Sequence, residues 1–268
     1  MVNFSKYQGT GNDFVIINNF VEKIEHSPEL AVKLCDRHFG IGSDGLIVME
    51  PHPDADYNMV FYNPDGSKSF CGNGSRCSVR FALDSGIIKS NNTNFISTDG
   101  FHTALIDGET IELDMHQPVL QGTNYIETQL RTDAVLQVNT GSPHLLLFLN
   151  SEVALSSLNI KENGARIRYS ETFNQQGINV NFIEIVENGK IKLRTYERGV
   201  EDETLSCGTG ITAAAIAYHH AFIKSDGSFI IKVKALGGDL EVKFIYKDQQ
   251  YHAVKLCGPA IAVFSGIF

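Results

Sequence analysis

The sequence predicts an α/β protein of the α+β type, built as two similar and mostly antiparallel halves. Three observations carry this prediction. Strand-like runs dominate the chain, and three of them fold back on turn dipeptides that contain glycine. Only three segments read as clear helices, and two of those open on a cysteine followed by Gly-X-Gly. The elements around these two cysteines recur in the same order, which reads as an internal duplication with a shared site.

Taken along the chain, residues 15–18, 46–49 and 58–62 are strands rich in Val, Ile, Phe and Tyr. Residues 28–39 form a helix with Ser27 as its cap, Pro28 in its first turn and Gly40 after its end. Its apolar face is Leu30, Ala31, Leu34, Cys35 and Phe39, so Cys35 is a core residue. A second helix covers FCGNGSRCSVRFALDSG (residues 70–86), and a third covers SCGTGITAAAIAYHHAF (residues 206–222). Each follows a strand ending in Tyr plus a polar residue, VFYN or LRTYER, and then an acidic loop. After each helix come a strand and a two-residue hairpin, turning at Asp107-Gly108 in the first half and at Gly237-Gly238 in the second. A further hairpin turns at Asn188-Gly189. The boundary falls in DMHQPVLQG, giving a first domain of residues 1–116 and a second of 117–257. The tail, residues 258–268, returns to complete the first.

Bulk properties narrow the function classes. A chain of 268 residues, 43% hydrophobic and 20% charged, has room for a sizeable core. Lys plus Arg number 22 against 31 Asp plus Glu, a net charge of −9 without a basic cluster, which argues against nucleic acid as a partner. No basic stretch followed by an apolar run opens the chain, and no uncharged apolar run reaches 18 residues. The expectation is a cytoplasmic protein with no membrane partner. Five cysteines, an odd number, read as reduced thiols rather than a disulfide framework. Without C-x-x-C spacing, metal is a poor fit and none is expected.

A helix start presents unpaired N–H groups and about half a positive charge. A cysteine there is stabilised as thiolate, and flanking glycines let the backbone approach an anion. Cys71 with Gly72-Asn73-Gly74, and Cys207 with Gly208-Thr209-Gly210, are two copies of this device, 207 − 71 = 136 residues apart. If the halves face one another, one carboxylate lies between two helix starts with a thiol on either side of the adjacent carbon. Removing a proton from one face and returning one to the other inverts a stereocentre without a cofactor. An anion-binding module with incidental thiols and a redox-active cysteine pair are the alternatives the residues leave open. Cys77 and Cys257 read as packing, and Tyr218, His219 and His220 as structural.

At these residues the chain resembles the diaminopimelate epimerase family, cofactor-independent enzymes that interconvert LL- and meso-diaminopimelate on the route to lysine and peptidoglycan. The resemblance runs nearly end to end, through GTGNDF, FGIGSDGL, YNPDGS, CGNGSRC, GSPH, NVNF, YERG and SCGTG in that order. It implies two pseudo-symmetric domains, each a curled sheet around a central helix, with the site in the cleft between them. It also implies that Cys71 and Cys207 are the catalytic pair, assisted by His144 and Glu197. The backbone at Gly72, Asn73, Gly208 and Thr209 would hold the reacting carboxylate. Asn12, Asn63, Asn179, Glu197 and Arg198 would hold the remaining amino and carboxylate groups of a small-molecule substrate. A homodimer is compatible with the sequence. Two positions depart from the pattern: Ser142 stands where many relatives have Asn, and Gly45 where some have Gln. Proline and hydroxyproline racemases share the fold but typically carry Cys-Gly-His-Gly where this chain has Asn73, and phenazine-pathway relatives lack the first cysteine.

Overall fold

A computed structural model describes residues 1–122 and 130–268. The chain divides into two compact units, Met1–Asp114 with Cys257–Phe268, and Met115–Leu256. Each is a mixed α/β unit dominated by its sheet.

The first unit runs β1 (Asn3–Gly9), β2 (Asn12–Asn18), α1 (Pro28–Cys35), β3 (Gly45–Glu50), β4 (Tyr57–Tyr62), α2 (Gly72–Asp84), β5 (Asn92–Ser97), β6 (Gly100–Asp107) and β7 (Thr110–Asp114). The second runs β8 (Val119–Gln121), β9 (Thr132–Asn139), β10 (Pro143–Leu149), α3 (Ile160–Arg168), β11 (Asn179–Glu187), β12 (Lys190–Glu197), β13 (Asp202–Thr204), α4 (Gly208–Tyr218), β14 (Gly227–Ala235), β15 (Gly238–Lys247) and β16 (Gln250–Pro259). The tail then adds β17 (Ile261–Ile267), which pairs antiparallel with β1.

The pairings repeat from unit to unit. β1 and β2 are antiparallel, as are β9 and β10; β3 and β4 are antiparallel, as are β11 and β12. Helices bridge parallel neighbours: α1 joins β2 to β3 and α3 joins β10 to β11, while α2 joins β4 to β5 and α4 joins β12 to β14.

A strand covered by helices on both faces needs apolar residues at every position, not at alternate ones. That is why FVII in β2 and LLLF in β10 are unbroken. In β10, Leu145 and Leu147 pack with Ile160 and Ile167 of α3. Leu146 and Phe148 turn the other way, into the cluster with Ile211 and Ile216 of α4. In the first unit Val15 and Ile17 meet Ala31 and Leu34 of α1 in the same manner. Cys35 lies in that cluster, buried, with the Ser43 hydroxyl donating to its sulfur at 3.3 Å.

α2 and α4 are the central helices, and they touch strands on most sides of their units. Every residue of α4 except Thr209 is buried, and alanines keep it thin. α2 buries Asn73, Ser75, Arg76 and Ser78 as well as apolar residues, so its polar groups must find partners inside the unit.

Several sequence expectations shift. The helix expected over residues 28–39 stops at Cys35, because Asp36 leaves helical geometry and its carboxylate accepts the amides of His38 and Phe39, both at 2.7 Å. Phe39 is 89% exposed and is no part of the core face. The central helices begin two residues later than expected, at Gly72 and Gly208, with the cysteines as caps. α4 closes in a π turn, His219–Ile223, ended by a left-handed Lys224. Two hairpins turn one residue away from the expected pair. Asp107 pairs with Thr110, so Gly108-Glu109 is the loop; Ala235 pairs with Gly238, so Leu236-Gly237 is the loop. The Asn188-Gly189 turn lies where expected, closed by Glu187 and Lys190. α3, β13 and the hairpin between β5 and β6 were not anticipated.

Gly45 opens β3 opposite Phe14, and a Cβ there would lie 2.3 Å from the Phe61 ring. The Phe61 ring therefore occupies the space in which a side chain at position 45 would begin. Gly45→Ala should lower stability by about 1–3 kcal/mol, the usual cost of overpacking. Urea unfolding checks this, and adding Phe61→Leu should recover part of the loss.

Candidate active site

In the first unit the β1–β2 turn sets the site. Gly9 and Asn12 close a two-residue loop in which Thr10 and Gly11 both have positive φ, 52° and 83°. Asn12 thus opens β2 beside the start of α2. Its Nδ2 donates to the Asp44 carboxylate at 2.7 Å, which turns Oδ1 toward the helix. That oxygen accepts from Asn73 Nδ2 at 3.2 Å and lies 3.9 Å from Cys71 Sγ. Cys71 is the cap of α2, and its sulfur accepts the Gly74 N–H at 3.4 Å. Lys6 and Arg37 pair with Asp13, and Arg37 also with Asp44, which locks the carboxylate that orients Asn12.

Arg76 is a functional candidate that sequence reasoning missed. It is fully buried one turn into α2, and among the described residues its guanidinium has no carboxylate partner. It donates to neutral oxygens: Asn73 Oδ1 at 3.0 Å, Thr10 Oγ1 at 3.2 Å, and the carbonyls of Gly72 and Pro259 at 3.5 Å. Burial pushes its pKa down, and the neighbouring Cys77, Cys71 and Cys257 act in the opposite direction. The signal was present in CGNGSRC, where a charged residue interrupts a helix face that otherwise packs. Cys77 itself is buried and its thiol is pushed well up by desolvation, as befits a packing residue.

Asn63, at the end of β4, braces the loop before α2. Its Nδ2 donates to Ser67 Oγ at 3.0 Å and Ser69 Oγ at 3.1 Å.

In the second unit the corresponding cap, Cys207, is buried, and its sulfur takes no capping bond from a helix amide. Its sulfur lies 3.6 Å from Thr209 Oγ1. Thr209 Oγ1 lies 2.9 Å from Nε2 of His144, the second residue of β10. His144 is fully buried, and desolvation, aided by the charge of Arg198, lowers its pKa to about 3. Its Nδ1 lies 3.2 Å from Nδ2 of Asn181 on β11, a residue not singled out from the sequence. The second asparagine of NVNF was the available signal, since alternation along a strand puts Asn179 and Asn181 on one face.

Asn179 is 3% exposed and spends both amide hydrogens within the unit, on Ser142 Oγ at 2.9 Å and the Pro143 carbonyl at 3.0 Å. Its Oδ1 accepts the Arg198 N–H at 2.9 Å. Ser142 therefore serves here as an acceptor that orients Asn179. Arg198 stands on the β12–β13 loop and donates from Nη1 to the Gln176 carbonyl at 3.0 Å. Among the described residues it has no carboxylate partner. Glu197 ends β12 and accepts from Thr204 Oγ1 at 2.8 Å.

Each unit thus offers the amino-terminal end of a buried helix, which attracts negative charge, with a sulfur at the cap. Such an end can hold a carboxylate while the thiol or thiolate exchanges a proton. The sequence profile of the family described as diaminopimelate epimerase matches residues 4–120 and 136–263. The chain belongs to the diaminopimelate epimerase family. It is 45% identical to the diaminopimelate epimerase of Flavobacterium psychrophilum over 97% of each chain. It is 36% identical to that of Aquifex aeolicus, over 98% of this chain and 96% of the other. Among solved structures, a phenazine biosynthesis protein of the PhzF family from Bacillus anthracis matches with a TM-score of 0.77 at 14% identity, covering 99% and 98% of the two chains. A probable proline racemase from Agrobacterium radiobacter matches at 0.68 and 19%, covering 100% and 93%. Those two establish a shared fold.

The motif glycines of this family member have separate reasons. A Cβ on Gly210 would lie 2.8 Å from Asn181 Oδ1 and 3.2 Å from the His144 ring. A Cβ on Gly74 would meet only ordinary contacts, the nearest being Ile47 at 3.4 Å. Gly210→Ala should displace His144, destabilise the protein by about 1–3 kcal/mol and reduce turnover at least tenfold. Gly74→Ala should stay within about 1 kcal/mol of wild type. Thermal unfolding and steady-state kinetics on the two variants check the contrast.

Proposed function

We propose that the protein is an isomerase that interconverts LL- and meso-diaminopimelate without a cofactor, supplying the lysine and peptidoglycan routes. Cys71 and Cys207 act as an acid–base pair on one α-carbon. The ionised sulfur takes the α-proton and becomes a thiol. The opposite thiol gives its proton to the other face of the carbanion and becomes the thiolate, so reversal exchanges their roles. The observation that carries this reading is the same sulfur-capped, buried helix start in both units of a chain whose relatives are diaminopimelate epimerases.

The amides at Gly72, Asn73, Gly208 and Thr209 receive the reacting carboxylate and the charge that develops on it. Arg198 suits the remote carboxylate, because an exposed guanidinium that has no ionic partner among the described residues is available for a bidentate clamp. Glu197 suits an ammonium. Asn12 faces Cys71, while Asn63 and Asn179 hold the loops that present the rest. The expected setting is cytoplasmic, in line with the absence, among the described residues, of any helix long and apolar enough to cross a membrane. A homodimer is compatible with β17, which leaves Ile261, Val263, Phe264 and Ile267 about half exposed or more.

Protein stripped of metals and small molecules should wash solvent deuterium into the α-position of LL-diaminopimelate. Exchange into proline with none into diaminopimelate would overturn the substrate, and exchange into neither would overturn the activity. Cys71→Ala and Cys207→Ala should each reduce epimerisation by at least about 10²–10⁴-fold. A single variant that still epimerises at the wild-type rate would remove the two-thiol mechanism.

A further inference from the structure

The hydrogen bonds behind Cys207 have fixed directions, and they make a chain. The starting point is Asn181, fully buried on β11. Its Nδ2 lies 3.0 Å from the Leu145 carbonyl and 3.4 Å from the Asn179 carbonyl, while Oδ1 accepts from Thr195 Oγ1 at 2.9 Å. Carbonyl oxygens only accept, so the amide cannot be turned over without setting oxygen against oxygen. Nδ2 is therefore the group that faces His144 Nδ1 at 3.2 Å. An imidazole nitrogen facing an N–H donor must be the unprotonated one.

His144 is thus held neutral with its proton on Nε2, and it donates to Thr209 Oγ1 at 2.9 Å. A hydroxyl that accepts at its oxygen is left with its own proton to place. Among the described residues, the acceptor within reach of that proton is Cys207 Sγ at 3.6 Å. We propose that Asn181 and His144 are positioning residues that turn the Thr209 hydroxyl into a hydrogen-bond donor to the Cys207 sulfur, stabilising its thiolate. His144 acts on the sulfur through Thr209 and does not itself take the sulfur's proton. The inference rests on Cys207 being one of the acid–base pair, as proposed above.

Glu197 ends β12, the strand that supplies Thr195, Arg198 follows it on the β12–β13 loop, and Cys207 caps α4. Among the described residues, the contacts from β10, β11 and α4 are with neutral groups: Leu145, Asn179, Asn181, Thr209 and Gly210. An imidazolium would place a second N–H against the Asn181 amide, so the arrangement opposes protonation on geometric grounds as well as by burial.

The test uses the full-length protein without substrate. Alkylation of Cys207 is followed against pH by peptide mapping, which separates it from the other four cysteines. Thr209→Val should raise the Cys207 ionisation midpoint by about one pH unit or more, as loss of a hydrogen bond to a charged acceptor does, and Thr209→Ser should restore it. An unchanged midpoint in the valine variant would overturn the proposal. Nitrogen NMR of the His144 ring should show the Nε2–H form throughout pH 5–9; an Nδ1–H form or an imidazolium in that range would also overturn it. Asn181→Asp should move the proton to Nδ1 and raise the Cys207 midpoint although Thr209 is untouched. If that variant fails to fold, the Thr209 pair and the NMR readout still decide. None of these measurements involves diaminopimelate, so a failure of the substrate assignment appears separately, in the deuterium exchange.

Discussion

A helix buried on all sides has one end that attracts negative charge, and each unit of this protein is organised around such an end. The sheet strands close on α2 and α4 and exclude water from their flanks. Charge interactions at the two helix starts therefore act in a poorly screened setting. A cysteine placed as the cap feels the full effect of the first-turn amides, and a carboxylate arriving there would feel it too. Much of the local structure serves to present that end. The strained β1–β2 turn brings Asn12 to α2, and the β10 and β11 strands bring His144 and Asn181 to α4.

The two ends are furnished differently. At Cys71 the sulfur accepts a helix amide and faces an asparagine oxygen, with a buried guanidinium one turn behind. At Cys207 there is no capping bond and no buried cation of that kind on α4, and a threonine hydroxyl backed by a neutral histidine stands beside the sulfur. A reaction that runs in both directions needs each sulfur to exist as thiol and as thiolate. If Cys71 and Cys207 are the pair proposed above, two unlike environments meet that need while breaking the symmetry of the repeat. The backbone repeats from unit to unit, and the side chains beside each sulfur differ.

What could be read from the sequence follows what each signal measures. The duplication was legible because it lies in order and spacing, and the hairpins because Gly-containing turns are local chemistry. The central helices were legible by their small residues and flanking glycines, yet their starts were set two residues early, since a cap is defined by backbone geometry that composition does not carry. α3 was invisible: Ile160, Gly164 and Ile167 are its buried residues, and apart from Ala165 the rest of KENGARIR is polar or charged. Its glycine, a poor helix former, is required because a Cβ there would lie 2.3 Å from Tyr196. Phe39 misled in the opposite sense, because its spacing matched the helix face while Asp36 had already ended the helix. Among the site residues, the cysteines could be named from chemistry, and their assistants largely from resemblance. Arg76 and Asn181 were missed because their roles depend on partners distant in sequence, Thr10 and Pro259 for one, His144 and Thr195 for the other.

The glycines of the two loops show how far a shared motif can be trusted. Cys-Gly-Asn-Gly and Cys-Gly-Thr-Gly look interchangeable, and a single explanation, close approach of the backbone to an anion, covers both in sequence terms. In three dimensions the third positions part company. The space beyond Gly74 is ordinary, so its smallness is not demanded by its neighbours. The space beyond Gly210 is filled by the His144 ring and the Asn181 amide, the groups that give the Thr209 hydroxyl its direction. On the arrangement proposed above, Gly210 takes part in tuning one sulfur, and it acts by leaving room. A motif states which residue types are compatible with a backbone; which neighbour requires them is fixed by the fold around each copy.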